Sequence, residues 1–555
     1  MFFVLWGVLL AGMVGPHFFT ADPAAAADAL WVNGRSGDDN NDGLTPGAAF
    51  RTIQRAAEAA VPGTTVHILP GVYRETVTPA ASGEAGAPIT YLAEDGPGTV
   101  VIRGSEPSSS LSWQQLTHDP IGLPGHVDPT DIHFADLSAW NLGAPPRFVV
   151  ELDGTGEVAA RLPLAREPDW TVATDWRYHE LWWTADGGSE VTQCDPSDAN
   201  ADWNCDLPSR CEKQLTDQNA FPEPDPRIEA GDLTTLGDLT GARLIAMDAK
   251  WGHYVYDRRV IDHDVAAGRI TVDGQCLQDG GESDPGLGWG SKYYVEDHPA
   301  LLDSPGEWWY DPSSGRLYLW APGGVNPATL DIEISRRDDG IDLTNRSHIT
   351  LDGLTIELVD VNAVQQGWGG GTEGNVVRNA TLRYADYGVV VLHSGTGVTR
   401  DFTLENSEIA HIDTNGLFIS EWWDGAPTPT ADWQPSTENI LIRGNEFHHL
   451  GFRTDTDNAI GIKIQFPNKL RFEDNYVHDV AHNGLQFLWS VIVSNRTYDF
   501  PASEIRTGEI LVQDNVFEDV CQLTTDCGAL KFWGQPPDNH VFRDVLVTGN
   551  VFRDN

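Results

Sequence analysis

A right-handed parallel β-helix, an all-β solenoid, is the fold class that three features of this 555-residue sequence predict. Short β-runs recur ("ILIR", "LRFE", "ILVQ", "VLVT"), each followed by a turn residue that is usually Asn. That turn position falls at Leu354, Ala380, Ser407, Asn445, Asn475, Asn515 and Asn550, at intervals of 26, 27, 38, 30, 40 and 35 residues. A second short strand then opens on a small residue. Loops of varying length thus interrupt a constant unit, and no such unit buries its apolar face alone. Stacking the units about 4.8 Å apart solves that problem. Leucine-rich spacing is absent, and the units are too short for propeller blades. Stacked turn asparagines predict an internal amide ladder whose role is structural.

The elements follow in chain order. Residues 1–27 read as a secretory signal peptide: "MFFVLWGVLLAGMVG" is apolar, and small residues precede a cut after Ala27. The fit lacks one feature, since no Lys or Arg precedes the apolar core. The run is shorter than the roughly 20 residues a membrane span needs, and no later segment qualifies. A secreted, extracellular protein without membrane insertion is expected, so disulfides are permitted.

Residues 28–105 are expected to form an N-terminal cap and the first coils. "TPGAAFRTIQRAAEAA" reads as an amphipathic helix, with Thr45 as N-cap, Pro46 at N1 and Phe50, Ile53, Ala57 and Ala60 on one face. Such a helix would cover the open sheet edges at the end of the solenoid. "DDNNDGLTP" reads as a polar turn, because Ala49 stands where a calcium loop needs its bidentate Glu.

Residues 106–335 break the pattern and read as an inserted β-rich, disulfide-containing domain. Cys194, Cys205, Cys211 and Cys276 fall there and allow three pairings. Cys521 and Cys527 stand apart as a further pair. No CxxC or His-rich zinc spacing appears, so no metal site is expected. Residues 336–555 read as the main β-helix. Asn555 stops in mid-repeat, so the natural chain is expected to continue to a cap.

The formal charge of −47 excludes nucleic acid and anionic membranes as partners, because both need basic footprints. The expected partner is a polysaccharide or oligosaccharide, and the chain is expected to act as a monomer.

Chemistry enters where the second strands align: "GVVVLH", "GLFISE", "AIGIKI", "GLQFLW" and "ALKFWG". With Leu417, Ile460, Leu485 and Leu530 inward, alternation sends Phe418, Gly461, Gln486 and Lys531 outward. One step further, Ser420, Lys463, Leu488 and Trp533 also face out. Asp413 and Asp526 lie three residues before the opening small residue, and Asp457 lies two before it. Coil spacing puts Asp413 and Asp457 roughly 5 Å apart, which suits a retaining glycosidase, and Asp457 and Asp526 roughly 10 Å apart, near the inverting range. Stacked carboxylates raise one another's pKa, as a general acid requires. A Cys521–Cys527 bridge would aim Asp526 at the same face. Trp422, Trp423, Trp433, Trp489 and Trp533 crowd nearby, and flat indoles suit sugar rings. Glu421 and Asp424 are further candidate acids.

Two stretches carry a resemblance. "NDGLTPGAAFRTIQRAAEAAVPGTTVHILPGVYRE" resembles the opening of secreted right-handed β-helix carbohydrate-active proteins, including polysaccharide lyases. "LLDSPGEWWYDPSSGRLYLWAPGG" followed by "IEISRRDDGIDLTNRSHITLDGLTI" is similar to the junction into the main β-helix of a glycosidase-like subgroup with an inserted β domain. The resemblance implies a glycoside hydrolase with Asp457, Asp526 and Asp413 as catalytic carboxylates, and no cofactor is required. Lys463, Lys531, Glu421, Trp423, Trp489 and Trp533 are then substrate-binding candidates. The lyase members imply an alternative, in which Lys463 or Lys531 is the base and calcium neutralises a uronate. A non-catalytic glycan-binding surface protein is the third reading.

Overall fold

The computed structural model describes residues 29–169, 182–189, 213–218, 229–247, 255–272, 287, 290–369, 371–394, 398–422, 437–451, 460–465, 467–488, 506–507, 509–524, 527–533, 541–542 and 545–554. The expected leader, Cys194, Cys205, Cys211, Cys276, Asp424 and Trp433 lie outside the described residues.

Long parallel sheets dominate, as in a parallel β-helix. One stacks Ala29–Val32, Thr65–Ile68, Ile89–Ala93, Ile349–Asp352, Val376–Arg378, Thr403–Glu405, Thr437–Arg443, Pro467–Glu473, Ile510–Gln513 and Val545–Thr548 in that order. A second stacks Gly71–Tyr73, Val100–Arg103, Leu354–Glu357, Thr381–Ser394, Glu408–Trp422, Glu446–Leu450, Tyr476–Val480, Val516–Glu518 and Val551–Arg553. The long strands Thr381–Ser394 and Glu408–Trp422 also carry a branch, which joins Asp339–Asp342 and Asn362–Gly369 on one side to Ile462–Gln465, Leu485–Leu488 and Leu530–Trp533 on the other. Both long strands are interrupted by a left-handed residue, Tyr384 (φ 52°) and His411 (φ 52°).

Period-two alternation explains the core. Val389, Leu417, Ile462 and Leu485 lie in one column, as do Val391, Ile419, Ile464 and Phe487, and all eight are fully buried. Each buried side chain of this size contributes about 1.5–3 kcal/mol, before the entropy cost of ordering it. One apolar cluster runs from Leu30 to Ala529 and draws no residue from between Ile102 and Ile341.

The expected amide ladder is present. Asn445 Nδ2 donates to Asn475 Oδ1 at 3.0 Å, Asn475 Nδ2 to Asn515 Oδ1 at 3.0 Å, and Asn515 Nδ2 to Asn550 Oδ1 at 2.9 Å. The column continues upward through the Ser407 amide on Asn445 Oδ1 (3.0 Å) and the Ala380 amide on Ser407 Oγ (3.1 Å). Each amide also donates to a carbonyl of the preceding coil, so the side-chain nitrogens of the ladder are partnered.

Near the N-terminus the helix is shorter than the sequence pattern predicts. Only α1 (Ile53–Ala59) is α-helical, preceded by a 3-10 turn at Pro46–Ala48. Thr52, not Thr45, caps it, accepting from the Arg55 amide at 3.1 Å. The cause is the "DDNNDG" turn: Asp39 takes the amides of Arg51 and Thr52 at 2.8 and 2.9 Å, which holds Phe50 extended against Val32. Ile53, Ala56 and Ala57 of α1 join the long apolar cluster.

Between these coils, the chain makes sheets and cores of its own. A nine-stranded sheet and two four-stranded sheets form there, largely antiparallel. The flanking coils meet directly: Ile89–Ala93 pairs with Ile349–Asp352, and Val100–Arg103 with Leu354–Glu357. A buried chain of charges ties the intervening sheets to the coils. Arg74 grips Glu333 at 2.6 and 2.7 Å, while Arg103 and Arg383 hold the fully buried Glu357 at 2.7 and 2.8 Å through their Nε atoms.

Candidate functional site

Beside the branch of the second sheet, consecutive coils each place an aspartate, one just before Asn362–Gly369 and two inside the long strands Thr381–Ser394 and Glu408–Trp422. They are Asp360, Asp386 and Asp413. Pairing runs Ala385 to Ile412 and then Tyr387 to Asn415, so Asp413 and Thr414 together oppose Asp386. This is a β-bulge, a device that redirects side chains.

Two arginines from the intervening region converge there. Arg147 donates to Asp413 Oδ2 at 2.9 Å and approaches Asp386 Oδ2 at 2.8 Å, while its amide donates to Asp360 Oδ1 at 2.9 Å. Arg161 makes a forked contact to Asp413, at 2.6 and 3.0 Å, and lies 4.5 Å over the Phe148 ring. Thr414 Oγ1 donates to Asp386 Oδ1 at 2.6 Å. Burial raises the Asp360 carboxyl to about 6, against hydrogen bonds from Ser335 and the Arg147 amide. A carboxyl kept partly protonated near neutrality therefore sits beside two salt-bridged carboxylates.

The outward row differs from the predicted one. Leu417 pairs with Ile462, not Ile460, so Phe418, Lys463, Gln486 and Lys531 share one row. Glycine stacking sets this register: the Gly416 amide donates to Gly461 O at 2.8 Å. A Cβ at Gly461 would come within 2.9 Å of Val480 Cγ1. The row is also more covered than the predicted solvent face. Lys463 is 8% exposed and Gln486 6% exposed, and the Lys463 ammonium lies 5.4 Å from the Phe418 ring centroid. Phe418 stacks in turn with Tyr387 at 6.2 Å. Asn483 Nδ2 fixes Gln486 Oε1 at 2.8 Å and its Oδ1 takes the Gly528 amide at 2.9 Å.

Of the predicted residues, Asp413 lies in the aspartate column, and Lys463 and Lys531 lie in the outward row. Glu421 falls near the end of Glu408–Trp422, and Trp533 ends Leu530–Trp533. Asp457, Asp526, Trp423 and Trp489 lie outside the described residues. Cys521 and Cys527 are bonded, with Cα atoms 5.6 Å apart, ahead of the last of these strands. Asp360, Asp386, Arg147 and Arg161 went unrecognised in the sequence. A signal for Asp386 existed, since it stands two residues before Gly388, the small residue opening "GVVVLH". Nothing local marks the arginines.

Comparison with known proteins bears on the fold. No family model matches the chain. The uncharacterized protein YwoF of Bacillus subtilis (strain 168) is 42% identical over 71 residues, which is 13% of this chain and 15% of that protein. A solved glycoside hydrolase superposes with a TM-score of 0.57 at 13% identity, covering 95% of this chain and 96% of that one. A complex of XylC with xylose gives a TM-score of 0.42 at 14% identity, over 89% of this chain and 63% of that one. The expected resemblance to carbohydrate-active β-helix proteins therefore holds at the level of fold. Among the described residues, no helix is long and apolar enough to cross a membrane.

Proposed function

We propose that this chain is a secreted carbohydrate-active enzyme, specifically a glycoside hydrolase that cleaves an extracellular polysaccharide on the outer face of its β-helix. One observation carries the reading: Asp386 and Asp413, on consecutive coils, share the Arg147 guanidinium beside the Tyr387–Phe418 ring stack. One coil rise, about 4.8 Å, is close to the carboxylate separation of a retaining pair. Asp386, one coil from each of the others, suits the nucleophile, and Asp413, bracketed by two guanidiniums, suits the charge-stabilising role. Asp360, raised by burial, suits the proton donor. Asp457 and Asp526 remain proposed catalytic partners. Glu421, Lys463, Lys531, Trp423, Trp489 and Trp533 are proposed subsites for the sugar chain. Hydrolysis needs no cofactor.

The same reading takes residues 106–335 as an insertion into a right-handed helix, supported by the direct pairing of the flanking coils. It takes α1 as the N-terminal closure, supported by its place in the coil core. Lys463 and Lys531 in one outward row favour a second reading, a polysaccharide lyase with a lysine base and calcium.

Digestion of a glycan panel, with and without calcium, separates these. The expected result is new reducing ends without ultraviolet-absorbing unsaturated products, reduced about 100-fold or more in Asp413→Asn with the fold retained by far-ultraviolet circular dichroism. Calcium-dependent absorbance would instead establish elimination. Binding without products on any glycan would favour a recognition protein.

A further inference from the structure

Coil stacking also assembles histidines that sequence spacing keeps apart. His411 lies on Glu408–Trp422, and His448 and His449 lie on Glu446–Leu450, the next strand of the second sheet. Pairing of Ile412 with Leu450 puts His411 beside His449, and both take the left-handed conformation at φ 52° and 54°. One ligand atom from each of the three rings lies within 4.8 Å of the others.

The surroundings look like those of a metal-binding imidazole set. His448 Nε2 lies 3.3 Å from Glu408 Oε1, and a proton shared on that side leaves Nδ1 with a free lone pair. A carboxylate behind a ligating histidine fixes both tautomer and ring orientation. His448 Nδ1 in turn lies 2.7 Å from His449 Nδ1, so only one proton lies between two ring nitrogens. An ion bound at about 2.0–2.1 Å from each would take that proton's place after a small opening of the pair. Tyr384 stacks flat on His411, with centroids 4.9 Å apart and planes 1° apart, which holds that ring in place. Asp479, next after His449 in the same column of left-handed residues, adds negative potential.

We propose that His411, His448 and His449 bind one borderline divalent transition ion of the zinc class, with Glu408 as the positioning residue behind His448. The site bridges two coils and leaves a fourth position for water or a carboxylate. Three imidazoles suit zinc, cobalt, nickel or copper rather than calcium or magnesium, which select oxygen. It is therefore distinct from any calcium of the lyase reading, and it does not depend on the glycosidase assignment.

The test uses the full chain, purified without a polyhistidine tag, stripped with a chelator and titrated with cobalt(II) and then zinc(II). Expected is one cobalt per chain, with visible d–d absorption of a low-coordinate nitrogen site, displaced by zinc and accompanied by a rise in Tm. His449→Ala should abolish the signal. Glu408→Gln should weaken binding about 10-fold or more with the fold retained, as measured by far-ultraviolet circular dichroism. No saturable cobalt signal, or a signal unchanged in both variants, would overturn the site and leave the rings as a stacked surface cluster.

Discussion

Two columns of stacked side chains run along the same coils and behave in opposite ways. The asparagine column is buried up to its last member, and its inner amides, Asn475 and Asn515, each accept from one asparagine and donate to the next. The second column is Leu358, Tyr384, His411, His449, Asp479, Asp519 and Asp554, all left-handed with φ between 48° and 54°. Its residue types run from Leu and Tyr through two His to three Asp. An amide is its own complement, so repetition satisfies it. Carboxylates only accept, and the donor and acceptor of an imidazole depend on its tautomer, so each member depends on what the adjacent coil offers. Repetition builds the scaffold, and departures from repetition create the places where chemistry can occur.

The largest effect should come from breaking a mixed-charge contact. Glu357 is fully buried between Arg103 and Arg383, so Glu357→Gln removes their buried anion and leaves Arg103 with Glu333 at 3.6 Å and Arg383 with the exposed Glu157. A loss of about 3–5 kcal/mol in unfolding free energy is expected by urea denaturation. A loss under about 1 kcal/mol would mean that the charges are solvated and that the columns differ less than the geometry implies.

Interrupting the self-complementary column should cost less. Asn475→Ala removes the side-chain bonds to Asn445, Asn515 and the Ile442 carbonyl, for an expected loss of about 1–3 kcal/mol. Asn550→Ala, at the half-buried end of the described ladder, removes as many bonds from a more exposed site and should cost less than Asn475→Ala by the same measurement. Equal costs would show that the ladder does not act through its neighbours.

The most gradual effect is one of pH. Asp360 titrates near 6 in the folded chain because of burial, above its ordinary value of 3.8. Between those values the folded state holds a proton that the unfolded state lacks, so stability falls as pH rises through about 6. The slope should reach at most about 1.4 kcal/mol per pH unit and should flatten in Asp360→Asn. Under the hydrolase reading, activity should also fall above about pH 6 as the donor loses its proton. A stability profile identical in both proteins would remove Asp360 from that role.

Much of the scaffold was legible because its signals are local. Alternation of apolar and polar residues identifies a strand within a few positions, and the asparagine at each turn sits next to the run it terminates. Those signals placed the coil units, the ladder and the pairing of Cys521 with Cys527. They failed where a contact from outside the local window competed with pattern. The helix lost Phe50 to the turn that Asp39 holds, and the strand of Lys463 shifted by two residues to let Gly461 stack on Gly416.

The candidate site was only partly legible, for a related reason. Asp413 was visible as an acid before a glycine, yet its partners Arg147 and Arg161 arrive from more than 250 residues away. His411 and His449 become neighbours only because Ile412 and Leu450 pair across coils. Alternation, turn chemistry and apolar burial are properties of a residue and its near neighbours, so the sequence by itself determined the kind of fold and its repeating core. Which carboxylate meets which guanidinium, and which rings share a proton, depends on register and loop length. Only the tertiary structure decided those, because stacking converts large sequence separations into distances of one coil rise.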